Sequence, residues 1–124
     1  MDKQKDLAIL ILRLVFGGFM LTHGYDKLNM LLAEEEIKFF NFMGLGPTIS
    51  LGLTVFAEFF CAILLIIGYK TKLAAAFLLF TMIIAAFVVH GDDPFGKKEM
   101  ALLYAAAYLS LMISGGGWYS IDRE

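Results

Sequence analysis

Cysteine, proline and charge are all scarce in this 124-residue sequence, and each shortage excludes a class of protein. The single cysteine, Cys61, cannot form an intramolecular disulfide, a CxxC redox pair or a cysteine-based zinc site. Charged residues make up 18% of the chain, whereas a soluble domain usually has about 25%. Hydrophobic residues make up 60%, compared with about 45–50% in a soluble domain. The formal net charge is −2 without any basic cluster, which argues against nucleic acid as a partner. We therefore predict a protein of the lipid bilayer that runs no dithiol chemistry of its own.

Four apolar runs divide the chain, and glycine or polar residues separate them. The runs cover residues 7–22, 49–67, 73–89 and 100–114. A helix that crosses a bilayer needs about 20 apolar residues, with a range of about 17–25, so two of the runs are slightly short. Flanking aromatic and lysine side chains can extend them to the membrane surface. We predict one all-α domain over residues 1–124, an integral membrane bundle of four transmembrane helices.

The connections between the runs suggest how the chain lies in the membrane. The first run has the shape of a signal peptide, but Arg13 interrupts it and no cleavage site follows, so we interpret it as a retained span. The short turn with Lys70 and Lys72 favours the cytoplasmic side, and we expect both termini there. In the longest connection, residues 25–48, an acidic triplet precedes several aromatic residues. This pattern favours a short interfacial helix, and the alternative is a solvated loop with anchoring aromatics.

Two ionisable residues, Arg13 and Glu58, fall inside the predicted spans, where a charged side chain costs about 2.5–3.5 kcal/mol on insertion scales. Arg13 precedes His23, which we take as the end of the first span, by ten residues. Glu58 follows Thr48, which opens the second span, by ten residues. At about 1.5 Å per residue, both lie roughly 15 Å below the same membrane face. We therefore expect a guanidinium–carboxylate pair that joins the first two helices.

Further ionisable residues occur where the predicted spans end on that same face: His23, Lys27, His90 and Glu99. Together with Arg13 and Glu58 they predict one ligand-binding pocket that opens to one side of the membrane. His90 and Glu58 are the candidate catalytic residues, because imidazole and carboxyl groups are the usual proton carriers among membrane helices. The alternative is that each residue staples or caps a helix. Haem held by His23 and His90 is disfavoured, because their spacing fits no haem signature, and we predict no metal site.

Helical phase supports a shared polar face. At about 100° per residue, one side of the first helix carries Arg13, Gly17, Met20, Gly24 and Lys27. Glycines on that side allow close helix packing or leave room for a ligand. On the fourth helix, the same reasoning aligns Glu99, Ala106 and Ser110.

Segments in all four predicted spans match the pattern of one known family in order and spacing. Residues 13–28, RLVFGGFMLTHGYDKL, fit its first span, and Glu58 followed by the leucine-rich residues 64–71 fits its second. His90 at the end of the third span, Glu99 at the start of the fourth and the late glycine-rich segment also fit. This combination, which covers nearly the whole chain, resembles the DoxX family.

The resemblance implies a four-span protein of the bacterial inner membrane. The family takes its name from a small subunit associated with a thiosulfate:quinone oxidoreductase, and some members join membrane complexes that handle oxidative or thiol stress. A quinone is therefore the candidate cofactor and a membrane redox complex the candidate partner. Without a soluble domain for thiosulfate chemistry or paired cysteines, independent thiol oxidation is not expected from this chain.

Three functions remain open at this point. In the first, the chain is a quinone-linked subunit of an oxidoreductase, and Arg13, His23, Glu58 and His90 hydrogen-bond the quinone oxygens. In the second, it is a non-catalytic anchor or stabilising partner of a redox complex, and the polar residues are structural. In the third, it is a small transporter. Four short spans without a visible inverted repeat disfavour this last function, unless the chain forms a homo-oligomer.

Overall fold

The computed structural model describes residues 3–33 and 36–123, and this part of the chain is helical with no β-strand. The helices are α1 (Lys3–Leu32), α2 (Pro47–Ile67), α3 (Thr71–Val89) and α4 (Phe95–Ser114). By length and composition, α1, α2 and α3 could each cross a membrane. The all-α prediction is confirmed. Helix α4 is 20 residues long, but its first turns carry charges at residues 97–99.

Helix α1 buries the face that the helical phase predicts. Its buried residues are Arg13, Gly17, Met20 and Gly24. The helix does not end at His23, however, and continues to Leu32. Polar side chains in residues 25–29 mark where apolar character falls, but none of them breaks a helix. The expectation that His23 marks a helix end is therefore wrong, and depths measured from it must be corrected.

The four helices pack in chain order, with α1 against α2, α2 against α3, α3 against α4 and α4 against α1. Leu65, Leu78, Tyr108 and Leu111 are fully buried where they meet. The Tyr108 hydroxyl donates a hydrogen bond of 3.0 Å to the carbonyl oxygen of Phe16, which satisfies its polar end inside the core. Helix α4 therefore turns its tyrosine and leucine face inward.

The predicted inward face of α4 is wrong. Glu99, Ala106 and Ser110 are all exposed on the side of the helix that faces away from its neighbours. The Ser110 hydroxyl donates to the carbonyl oxygen of Ala106 in its own helix, at 2.9 Å. Because large apolar side chains gain more from burial than alanine or serine, Tyr108 and Leu111 determine which face packs.

Two turns of the helices are wound more widely than an α-helix. Residues Phe56–Cys61 of α2 and Ala85–Val89 of α3 are π-helical. In the second, the His90 N–H donates to the carbonyl oxygen of Ala85, five residues earlier, at 3.0 Å. Each π turn adds a residue to the helical repeat and redirects the side chains around it, and such turns are frequent at functional sites. Glu58 lies in the first, and His90 directly follows the second.

The connection between α1 and α2 contains one turn of 3₁₀-helix, Phe42–Gly44. Its other described residues, 36–41 and 45–46, are not helical, and Glu34 and Glu35 of the acidic triplet lie outside the described residues. The backbone N–H of Phe42 donates to Ser50 Oγ at 2.8 Å, which ties the connection to the first turn of α2. The described part of this connection therefore contains a single 3₁₀ turn, which is held against α2, and no longer helix.

Candidate functional site

A cavity of about 400 Å³ lies between α2 and α3, beneath the connection from α1. Ligand sites of small molecules typically have volumes of about 300–1,000 Å³ and mostly apolar walls. The walls here come from both helices, both π turns and the connection. They consist of Lys27, Phe39, Phe40, Phe42, Ser50, Leu53, Thr54, Phe56, Ala57, Glu58, Phe77, Phe80, Thr81, Ile84, Ala85, Val89 and His90.

The aromatic part of the wall is made of paired rings. Phe56 of α2 meets Phe77 of α3 edge to face, with ring centroids 5.4 Å apart. Phe42 of the connection meets Phe80 of α3 in the same way at 6.4 Å. An edge-to-face contact between two rings contributes more stability than the buried area alone would give, so these ring pairs hold the wall in a defined shape.

An ion pair forms the buried polar part of the cavity. Lys27 Nζ of α1 lies 2.7 Å from Glu58 Oε1 of α2. The Glu58 side chain is 4% exposed and that of Lys27 is 29% exposed. The contact depends on Gly24, because a Cβ atom there would overlap the backbone carbonyl group of Glu58. The absence of a side chain at residue 24 lets α1 approach the π turn and bring Lys27 to the carboxylate.

A second polar pair lies where α3 ends. His90 Nδ1 is 2.7 Å from Asp93 Oδ2. The hydrogen bond with His90 is the main cause that holds the pKa of Asp93 below its usual value. An ionised carboxylate can only accept, so Nδ1 of His90 carries the proton. In the neutral ring this leaves Nε2 as an acceptor, and in the charged ring both nitrogens donate.

The three hydroxyl groups of the cavity already have partners. Thr54 Oγ1 donates to the carbonyl oxygen of Ser50 and Thr81 Oγ1 to that of Phe77, both at 2.9 Å. Ser50 Oγ accepts from the connection. The side chains with a charged or switchable donor are therefore Lys27 and His90. An arrangement of this kind suits a largely apolar ligand with one or two acceptor oxygens.

Arg13 does not pair with Glu58, and this prediction is wrong. Its Nε donates to the Leu65 carbonyl oxygen at 3.0 Å and Nη2 donates to that of Ile66 at 2.7 Å. Nη1 donates to the carbonyl oxygens of Gly116 and Tyr119 at 3.2 and 2.9 Å. The guanidinium thus satisfies the last carbonyl groups of α2 and holds the segment after α4.

The predicted pair is wrong because the depth of Arg13 was measured from His23, and α1 does not end there. Glu58 lies level with Gly24 and Lys27, which α1 carries beyond His23. Arg13 is eleven residues before Gly24, so it lies about 16 Å further along the same helix. The two charges therefore occupy opposite ends of the α1–α2 contact, and each has its own partners.

The remaining candidates lie outside the cavity. The His23 ring is half-buried and packs edge to face on Tyr104, with centroids 6.2 Å apart. Glu99 is exposed on α4. The structure thus brings Lys27, Glu58 and His90 together at one cavity and separates Arg13, His23 and Glu99 from it. Within residues 3–33 and 36–123, His, Cys, Asp and Glu side chains form no group of three that could hold a metal ion.

Sequence reasoning missed the aromatic cover and the two π turns. Phe39, Phe40 and Phe42 line the cavity, and their signal was present in the sequence as the aromatic cluster of the connection. The π turns carry no comparable signal, because apart from Glu58 nothing in residues 56–61 or 85–89 distinguishes them from ordinary apolar helix.

Comparison with known proteins identifies two relatives and one family. The chain is 27% identical to the inner membrane protein YqjF of Escherichia coli (strain K12) over 127 residues, which cover 99% of this chain and 95% of that protein. It is 26% identical to the Bacillus subtilis (strain 168) protein named "Putative oxidoreductase CatD" over 123 residues, which cover 98% and 90%. No solved structure matches significantly. The family model of DoxX matches residues 8–91, more than half of the chain, and the protein therefore belongs to the DoxX family.

Proposed function

We propose that this protein is a quinone-binding subunit of a membrane redox complex. The observation that carries the proposal is the cavity of about 400 Å³, whose aromatic walls end in Lys27, Glu58 and His90. A quinone has a flat apolar ring with two acceptor oxygens. The cavity offers rings to pack on it and donors for its oxygens. The CatD relative carries the name "Putative oxidoreductase", which is consistent with redox chemistry.

The membrane arrangement that we propose is a bundle of four spanning helices in a bacterial inner membrane. The location follows the name of the YqjF relative. Helix α4 would be the fourth span, because it packs along α3 and buries Tyr108 and Leu111 against the other helices. Both termini would lie in the cytoplasm, following the lysines of the α2–α3 turn.

We assign a separate role to each of the three ionisable residues of the cavity. Lys27 would donate a hydrogen bond to one quinone oxygen, while Glu58 holds the ammonium group in place at 2.7 Å. His90, oriented by Asp93, would exchange protons with water at the end of α3, since its side chain is 39% exposed. Glu58 would be the proton carrier on the buried side. A quinone held by these residues would supply two-electron, two-proton redox chemistry, with its electrons coming from a partner redox protein.

Arg13, His23 and Glu99 have no part in this proposal. The four carbonyl partners of Arg13 account for its burial without any ligand. The arginine would also keep these partners in a Glu58→Gln variant. Replacing Glu58 by glutamine removes the Lys27–Glu58 ion pair but leaves the hydrogen bonds from Arg13 to the end of α2, so ligand content and stability are measured side by side.

The test is the quinone content of protein purified in mild detergent, measured by solvent extraction and mass spectrometry. Wild type, Glu58→Gln and Lys27→Met are compared with Glu99→Gln, a matched control that removes an exposed carboxylate outside the cavity. We expect near-stoichiometric quinone in wild type and in the Glu99 variant. The Glu58 and Lys27 variants should remain folded but lose most of it. Their melting temperatures should also fall, because each variant leaves one member of the Lys27–Glu58 pair without its partner.

Other results would point to the other functions. Wild-type protein without quinone, together with a marked loss of stability in Glu58→Gln, would make the Lys27–Glu58 pair a structural staple. The protein would then be a non-catalytic membrane partner. Flux of a solute through proteoliposomes that depends on Glu58 would instead support a transporter.

A further inference from the structure

We infer that the ligand of this cavity carries a long apolar tail, which leaves between α2 and α3 into the lipid, and that Leu53 lines its exit. The inference rests on the proposed function and goes further, because it distinguishes membrane-resident quinones with isoprenoid tails from small water-soluble ones. It also names a residue that selects between them.

The first argument is that the cavity opens sideways through the helix surface. Leu53, Phe56 and Phe80 line the cavity. The same three residues are 51%, 44% and 56% exposed. Side chains that line a cavity and remain this exposed lie at its mouth rather than at its closed end. Glu58 is buried, so the cavity has a polar inner part and an apolar mouth.

The second argument is the depth of this mouth. Phe80 lies nine residues after the start of α3, close to the middle of its 19 residues. At about 1.5 Å per residue this is roughly 14 Å from Thr71, in a helix about 28 Å long. The middle of a spanning helix faces the hydrocarbon core of the bilayer. The mouth at this depth meets acyl chains and excludes water.

The third argument is the distribution of polar groups. Lys27 and His90 can bind the oxygens of a head group, and the hydroxyls of Thr54 and Thr81 already donate to their own helices. The wall between the head-group end and the mouth is therefore apolar. It can stabilise a hydrocarbon chain by burial but cannot select a polar one. A cavity that is polar at its inner end and apolar towards its mouth matches an amphiphile with one polar end.

The segment that connects α1 to α2 covers one side of the cavity and so limits where the tail can pass. Phe42 packs on Phe80, and its backbone N–H is fixed to Ser50. The cavity is thus covered at the start of α2. Leu53 and Phe56, one helical turn apart on α2, keep about half of their surface exposed. The tail therefore passes beside Leu53.

The experiment measures the affinity of two compounds for the full-length protein in lipid nanodiscs of fixed composition. One is a quinone with an isoprenoid tail and the other is the same ring without a tail. Wild type is compared with Leu53→Trp, which fills the mouth. The matched control is Leu103→Trp, where an equally large residue replaces a leucine that is 59% exposed on α4, outside the cavity.

We expect Leu53→Trp to weaken binding of the tailed quinone about tenfold, equivalent to about 1.4 kcal/mol, and to change binding of the tail-free ring less than about twofold. Leu103→Trp should change neither affinity. Equal effects of Leu53→Trp on both compounds, or no effect on either, would overturn the tail assignment and leave the proposed function standing. If neither compound binds the wild type, the proposed function fails and the inference fails with it.

Discussion

Replacing Arg13 by methionine tests the structural role that separates this residue from the cavity. The guanidinium is 2% exposed and donates four hydrogen bonds to backbone carbonyl oxygens. Two of these acceptors end α2 and two belong to the segment after α4. Methionine fills a similar volume but donates nothing, so the variant leaves these carbonyl groups without their partner.

The magnitude follows from the bonds and from the cost of burying the charge. Hydrogen bonds to a charged group contribute about 1.5–3 kcal/mol each, which gives a gross value of about 6–12 kcal/mol for four. Desolvation of the guanidinium offsets several kcal/mol of this. A buried carbonyl group that loses its partner costs about 1–3 kcal/mol, and with this offset we expect Arg13→Met to destabilise the protein by about 3–5 kcal/mol.

The assay is unfolding in mixed micelles of mild detergent and SDS, followed by circular dichroism. Arg13→Lys should recover little of the loss, because an ammonium group has three donors and cannot span four carbonyl groups. Arg123→Lys changes an exposed arginine and serves as the control. A loss below about 1 kcal/mol for Arg13→Met would refute the reasoning. So would a coupling above about 1 kcal/mol with Glu58→Gln, because sites this far apart should be additive within about 0.5 kcal/mol.

Two further predictions concern other contacts of the same fold. Gly24→Ala should destabilise the protein by about 1–3 kcal/mol in the same assay, because the new Cβ would overlap the carbonyl group of Glu58. Gly18→Ala has open space around its Cβ and should be neutral or slightly stabilising; equal losses for both variants would contradict this. Burial alone would raise the pKa of Asp122, but hydrogen bonds from the first backbone N–H groups of α3 outweigh it and hold that pKa below its usual value. The unfolded chain therefore binds the proton more readily, so the contribution of Asp122 is present above about pH 4 and is lost as the pH falls through the folded pKa. A melting-temperature profile from pH 6 to pH 2.5 should fall less steeply for Asp122→Asn than for wild type, and parallel profiles would contradict the prediction.

The parts of the fold that depend on hydrophobic periodicity could be predicted from the sequence. The apolar runs locate the helices, and the 3.6-residue repeat identifies the buried face of α1 from Arg13 to Gly24. The end of α1 could not be predicted in the same way. Apolar character falls after Thr22, but residues 23–32 contain no proline, so nothing in them stops the helix. On α4 the error was to follow small and polar residues, although Tyr108 and Leu111 contribute far more burial.

The candidate site was predicted in part. Lys27, Glu58 and His90 were recognised because ionisable residues among membrane helices are rare. The partners of Arg13 could not be recognised, because every residue carries a carbonyl oxygen and an arginine that binds four of them leaves no pattern in the side chains. The π turns that carry Glu58 and precede His90 were hidden for a similar reason, because no residue type identifies such a turn in the sequence.

The four carbonyl partners of Arg13 also bear on how the protein is made. Leu65 and Ile66 lie 52 and 53 residues after Arg13 in the chain, and Gly116 and Tyr119 lie 103 and 106 residues after it. A ribosome that inserts the chain from its N-terminus delivers the arginine to the membrane long before its last two acceptors exist. Until then the guanidinium can have at most the two acceptors at the end of α2, Leu65 and Ile66. The full set of four hydrogen bonds forms only after residues 116 and 119 have been made, so the last part of the chain completes the surroundings of a residue near its beginning.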